Sequence, residues 1–169
     1  MHQNRNVAIR IIGIGNLLLG DEGVGVHVVR HLLEHCHLPE SVDCLDGGTG
    51  SLVLLEPLQT ADHIILVDAT MDGNPPGTLR RLVPKFSSDF PPSLAAHDIG
   101  LRDLLDSFYL LGDEPPDVIL FTVSIAEMQN MVTELSPEVA AAVSLVAAMI
   151  IEEIGGIEKP GMASSARAC

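Results

Sequence analysis

Two carboxylates and one imidazole in this chain stand where such side chains do chemistry. Asp68 closes the most apolar run of the sequence, IILVDA, and a carboxylate there is costly unless it is paired or bound to a metal. Glu22 belongs to GDEG, which follows a Gly-x-Gly turn, and His97 opens a helical pattern directly after a loop. Together they offer oxygen and nitrogen donors with open positions, a set that accepts a divalent cation such as nickel, zinc, manganese or cadmium. Each also has a purely structural reading. Asp21 and Glu22 can serve as cap and first-turn acid of the helix they open, Asp68 as the cap of a neighbouring turn, and His97 as a helix cap.

The surrounding stretch, IIGIGNLLLGDEG at residues 11–23, also has a dinucleotide reading. Gly13 and Gly15 fit the first two glycines of G-x-G-x-x-G, and Asp46, at the end of the second strand, could meet a ribose. The third position is Leu18, however, and Gly20 comes two residues late. Asp21 and Glu22 would then repel a phosphate at the helix N-terminus. A dinucleotide-binding enzyme is therefore the second reading.

Covalent catalysis finds little support. Residues 48–51 read Gly-Thr-Gly-Ser, so the G-x-S-x-G elbow is missing its serine. Cys36 falls on a helix, Cys44 in an apolar strand and Cys169 in a polar tail. His31-Leu-Leu-Glu34-His35 does match the inverted zincin pattern, but His27, Arg30, His31, Glu34 and His35 fill the polar stripe of an amphipathic helix, which predicts solvent there.

The elements that must position these groups follow from periodicity. Nearly continuous apolar runs at residues 7–14, 64–69 and 118–125 read as strands buried on both faces of a parallel sheet. Residues 42–45 add a short strand, and 78–83 a strand reached through the turn MDGNPPG, with an antiparallel edge as one possible arrangement. Helices are expected over 23–36, with Val24, Val28, Val29, Leu32 and Leu33 on the inner face, and over 51–60 and about 97–111. The last starts at Ser136 as N-cap with Pro137 at the first position, and ends near Gly155 and Gly156. The result is an α/β fold, a three-layer α/β/α sandwich with a mostly parallel twisted sheet of about five strands and its functional groups beyond the carboxyl ends of the strands. One domain is expected over residues 1–156, followed by a disordered tail at 157–169.

Composition narrows the partners. Nine basic residues against 23 acidic ones leave a formal net charge of −14, which disfavours nucleic acid and anionic membrane surfaces. Three widely spaced cysteines without a C-x-x-C indicate neither a disulfide framework nor a thiolate zinc site, and suit a cytoplasmic location. The longest apolar candidate, residues 139–151, is shorter than the ~18 residues a bilayer needs, so no membrane association is expected.

The ordered set GIGNLLLGDEGVG at 13–25, LDGGTG at 45–50, HIILVDA at 63–69, PPGTLRRL at 75–82 and AHDIGLRDLL at 96–105 resembles the hydrogenase maturation proteases. The resemblance spans about residues 8–154. It implies an endopeptidase that removes a short C-terminal peptide from the large-subunit precursor of a nickel-iron hydrogenase once nickel is inserted. It places the family's metal-binding residues on Glu22, Asp68 and His97, and its other recurrent acid on Asp46. The chain departs from the family's D-G-G-T-x-G pattern, having Gly50 and Ser51 after Thr49. Two hydrolytic routes stay open. A metal at Glu22, Asp68 and His97 can activate water, or carboxylates such as Asp46 can act as the general base while those three grip the substrate's nickel. A non-catalytic nickel-binding accessory protein is a further alternative.

Overall fold

The computed structural model describes residues 7–49, 52–84 and 116–158. Five strands form a single sheet: β1 (Val7–Gly13), β2 (Val42–Asp46), β3 (Ala61–Thr70), β4 (Leu79–Leu82) and β5 (Asp117–Ser124). Their spatial order is β2-β1-β3-β5-β4, with β4 antiparallel to β5 and every other pairing parallel. The expected mostly parallel sheet with an antiparallel edge is thus present. The chain steps to one side of β1 to make β2 and to the other to make β3, so the topological switch point lies between β1 and β3.

The central strands are apolar on both sides because both sides are covered. In β1, Ile9 and Ile11 join one core cluster and Ile12 the other; in β3, Ile65 and Val67 face the first, Ile64 and Leu66 the second. The first cluster is closed by two helices, α1 (Val24–His35) and α3 (Pro137–Glu158), and the second by α2 (Leu55–Gln59). This period-two division of an unbroken apolar run is what a sheet sandwiched between helices requires.

Several boundaries differ from expectation. β3 is ten residues long, since Ala61 is buried and pairs with Val7, extending the strand back to the end of α2. α2 is shorter than expected, its first turn being a 3-10 segment, Leu52–Leu54. On α1, Leu33 is exposed and Val26 occupies the core in its place. α3 runs through Gly155 and Gly156 to Glu158, because Ile154 and Ile157 keep packing on the core and Ser41 Oγ donates a hydrogen bond to Glu158 Oε1. Residues 157 and 158 of the expected tail therefore belong to this helix; residues 159–169 lie outside the described residues. At 22 residues α3 is long and apolar enough to cross a membrane by length and composition, contrary to the sequence expectation. Yet Val139, Ala142, Val146, Ala147, Ile150 and Ile154 form a buried stripe against the sheet and α1. The helix expected at 97–111 falls outside the described residues.

Candidate active site

The site starts where β1 ends. Ile14 N–H donates to Val67 O at 2.8 Å, Gly47 N–H to Gly13 O at 2.8 Å and Gly15 N–H to Gly48 O at 2.7 Å, so the β1 exit is laced to β3 on one side and to the D-G-G-T turn on the other. The helix behind it approaches very closely. A Cβ on Gly25 would lie 2.2 Å from Ile14 O and 2.3 Å from Val67 O, and one on Gly13 would lie 2.1 Å from Gly25 O. Gly25 thus provides the close helix-to-strand packing that the third glycine of a dinucleotide fingerprint would provide, five positions later than Gly20.

Between them the loop turns through a 3-10 segment, Gly20–Gly23, that buries both of its acids to more than nine-tenths. Neither caps α1: no side-chain cap bond is present at that helix start. Asp21 instead accepts Ser136 N–H at 2.6 Å and Ser136 Oγ–H at 2.8 Å, so the expected N-cap serine of α3 is turned toward an acid far back in the chain. Glu22 Oε2 accepts the Asn16 N–H. A loop amide that would face a pyrophosphate in a cofactor site is therefore occupied by the protein's own carboxylate, an arrangement that disfavours the dinucleotide reading. Replacing Asp21 with Ala would leave both Ser136 donors without their acceptor inside the protein. We expect a loss of about 2–3 kcal/mol in chemical denaturation, against a negligible loss for the exposed Glu40→Ala.

Asp68 reaches the same crevice from the end of β3. It is half-buried, and its Oδ1 accepts the Ala69 N–H at 2.8 Å. Burial pushes its carboxyl up to about 7; the Ala69 hydrogen bond lowers it, and the Glu22 carboxylate raises it further. Glu22 and Asp68 thus feel one another as like charges at the switch point, and near neutral pH Asp68 divides its time between acid and anion. A pair of this kind can pass a proton to or from a reacting group, and it would also welcome a divalent cation. Thr122 of β5 lies in register with Asp68 and is buried, a neighbour that sequence reading did not single out.

Asp46 sits elsewhere on the same edge. It is in register with Gly13, which is in register with Val67, so it stands two strands over from the Asp68 end of the sheet. Its side chain is exposed, with Oδ1 accepting Gly48 N–H at 3.0 Å inside the D-G-G-T turn and Oδ2 3.8 Å from Arg30 Nη2. His97 lies outside the described residues, and among the described residues no group of three side chains is arranged to hold a metal ion. Of the sequence-predicted set, the structure brings together Glu22 and Asp68. Cys44 is a free, half-buried thiol pushed up to about 12 by burial, far from a useful nucleophile.

Residues 26–153 match the sequence profile of HycI, hydrogenase maturation protease, a span of most of the chain. The chain belongs to the hydrogenase maturation protease family. It is 36% identical over 138 residues to the hydrogenase 2 maturation protease of Escherichia coli, covering 79% of this chain and 82% of that protein. It is 34% identical over 148 residues to the hydrogenase expression/formation protein HupD of Thiocapsa roseopersicina, covering 85% of this chain and 66% of that one, so it spans about two thirds of that relative's length. Its fold superposes on the hydrogenase maturating endopeptidase HybD of E. coli with a TM-score of 0.80 and 29% identity, covering 95% and 98% of the two chains. The same five-stranded, mostly parallel sheet therefore recurs within the family of hydrogenase maturation proteases.

The inverted zincin pattern of this family member is not simply a solvated stripe. His27 turns inward, leaving Nε2 buried without a hydrogen-bond partner, and burial lowers its basicity. With Arg30, His31, Glu34 and His35 it lines a cavity of about 350 Å³ against Leu135 and the first turns of α3. The rings of His31 and His35 stack with centroids 4.5 Å apart.

Proposed function

We propose that this chain is an endopeptidase that trims the C-terminus of the large-subunit precursor of a nickel-iron hydrogenase after nickel insertion. The observation that carries the proposal is the pair of acids at the switch point, Glu22 and Asp68, whose mutual repulsion and burial leave room for positive charge. Nickel belongs to the substrate in this scheme. Glu22, Asp68 and His97 grip it, which docks the precursor with its scissile segment over the carboxyl ends of the strands. Two carboxylates and an imidazole suit nickel, and they accept zinc or cadmium as substitutes in vitro. Hydrolysis then needs a base for the attacking water. Asp46 and Asp68 are the candidate carboxylates, with metal-activated water as the other route. We extend the proposal to a cytoplasmic site of action, the location expected from the sequence.

The test is mass spectrometry of a hydrogenase large-subunit precursor from the same organism, incubated with the protein with and without nickel loading. Loss of a C-terminal peptide from the nickel-loaded form alone is the expected result. An intact precursor, its folding verified, would instead favour a nickel-binding accessory protein. His97→Ala should abolish processing of the loaded precursor; normal cleavage by that variant would remove His97 from the site.

A further inference from the structure

We infer that Leu18, Met71, Met128 and Met131, the last two on the loop segment of residues 125–132, form an apolar shelf beside the Glu22 and Asp68 carboxylates, and that this shelf seats the apolar side chains flanking the precursor's scissile bond. The inference deepens the protease reading and rests on it. Leu18 is 50% exposed, Met71 49%, Met128 43% and Met131 82%, although large apolar side chains in this fold are otherwise mostly buried in the two core clusters.

The shelf is continuous with the acidic crevice. Gly20 N–H donates to Val132 O at 2.7 Å, Val132 N–H to Leu18 O at 3.3 Å and Gln129 N–H to Leu19 O at 3.3 Å, so the segment is fastened to the loop that carries Glu22. Ile125 N–H donates to Thr70 O at 2.9 Å, which ties its start to the end of β3, where Met71 leaves the sheet. These side chains therefore border the loop that carries Glu22 and the strand end that carries Asp68, where an incoming chain can rest on them.

Met131 adds an independent sign. Its φ is 60°, and it is the one non-glycine among the described residues with a positive φ. An L-residue in that region is held there at some cost, and here the cost holds a long apolar side chain in solvent where glycine or asparagine would fit more easily. Methionine is flexible and polarisable, which suits a surface that must receive a peptide of varying shape. The exposed acids Glu127 and Glu134 flank the shelf, so it favours an occupant that carries positive charge beside its apolar residues, whether a basic side chain or the substrate's nickel. A second copy of this chain, at net charge −14, is a poor electrostatic match.

Two readouts test the shelf. Brief peroxide treatment, followed by mass spectrometry, should show Met128 and Met131 becoming sulfoxides more slowly when nickel-loaded precursor is present. Met128→Gln combined with Met131→Gln should raise KM for the precursor at least about tenfold while kcat stays within about twofold. Met131→Gly accepts the same backbone conformation, so it should fold normally and still raise KM several-fold. If the wild type cuts the precursor while these variants keep the wild-type KM and both methionines oxidise at an unchanged rate, the shelf is refuted and the protease stands. Protection that grows with the protein's own concentration, without precursor, would assign the shelf to self-association and overturn the inference. Failure of the wild type to cut would remove the protease reading and the shelf with it.

Discussion

Asp68→Asn is expected to make the protein more stable and less active at once. In the unfolded chain this carboxyl titrates near 3.8; in the fold it titrates at about 7. Between those values the folded protein holds a proton that the unfolded chain has released. The associated stability is fully present below about pH 4 and is lost as pH rises through 7. Above that, the fold carries a half-buried anion next to Glu22, at a cost of up to about 4 kcal/mol before screening. Asparagine keeps an acceptor for the Ala69 N–H and carries no charge. In metal-free buffer at pH 8 the variant should unfold roughly 4–8 °C higher than wild type, with the gain shrinking toward zero at pH 4. Processing of the nickel-loaded precursor should meanwhile fall by at least about a hundredfold. A gain over wild type no larger at pH 8 than at pH 4, or a variant that cuts normally, would contradict the role assigned to Asp68.

The second large effect concerns backbone, not charge. Gly25→Ala places a methyl group 2.2 Å from Ile14 O and 2.3 Å from Val67 O, two carbonyls fixed in the β1 exit and β3. No side chain can swing aside, so α1 must move off the sheet at the point where the loop carrying Glu22 is anchored. A loss of about 3 kcal/mol or more is expected, seen as a fall of roughly 6–12 °C in the thermal midpoint. Gly156→Ala is the matched control. Nothing lies within 4 Å of a Cβ there, and the residue is inside α3, so the same change should stabilise by about 0.5–1 kcal/mol. Equal effects at the two glycines would refute the packing argument.

Patterns that repeat along the chain were legible in the sequence. Unbroken apolar runs gave β1, β3 and β5, turn residues gave the antiparallel edge, and the cost of an acid at the end of IILVDA singled out Asp68. Features that depend on a distant partner were not legible. Asp21 looked like a cap for its own helix because its true partner, Ser136, is remote in sequence; nothing local distinguishes the two. Leu33 matched the inner face of α1 by type, but near the end of that helix its side chain stays exposed, while Val26 near the start takes the core position. The glycines at 155 and 156 read as a stop because their lack of side chains is visible, whereas the packing of Ile157 that carries α3 onward is not. His27 appeared solvated for the same reason: the wall opposite it is built from the start of α3.

The order β2-β1-β3-β5-β4 also bears on how the protein comes into being. His63 pairs with Ile9 on one side and with Asp117 on the other, each more than fifty positions away in the chain. Contacts so distant close late and slowly. During synthesis β1 and β3 can meet before β5 exists, but Asp21 finds Ser136, and the Glu22 loop finds Val132, only after the last third of the chain has emerged. The growing polypeptide should therefore carry both acids without a formed crevice around them, and refolding should show the crevice appearing together with the final burial of α3, not before it. On this view the fold delays the site until β5 and the start of α3 have been made, and any chain released before them should be without it.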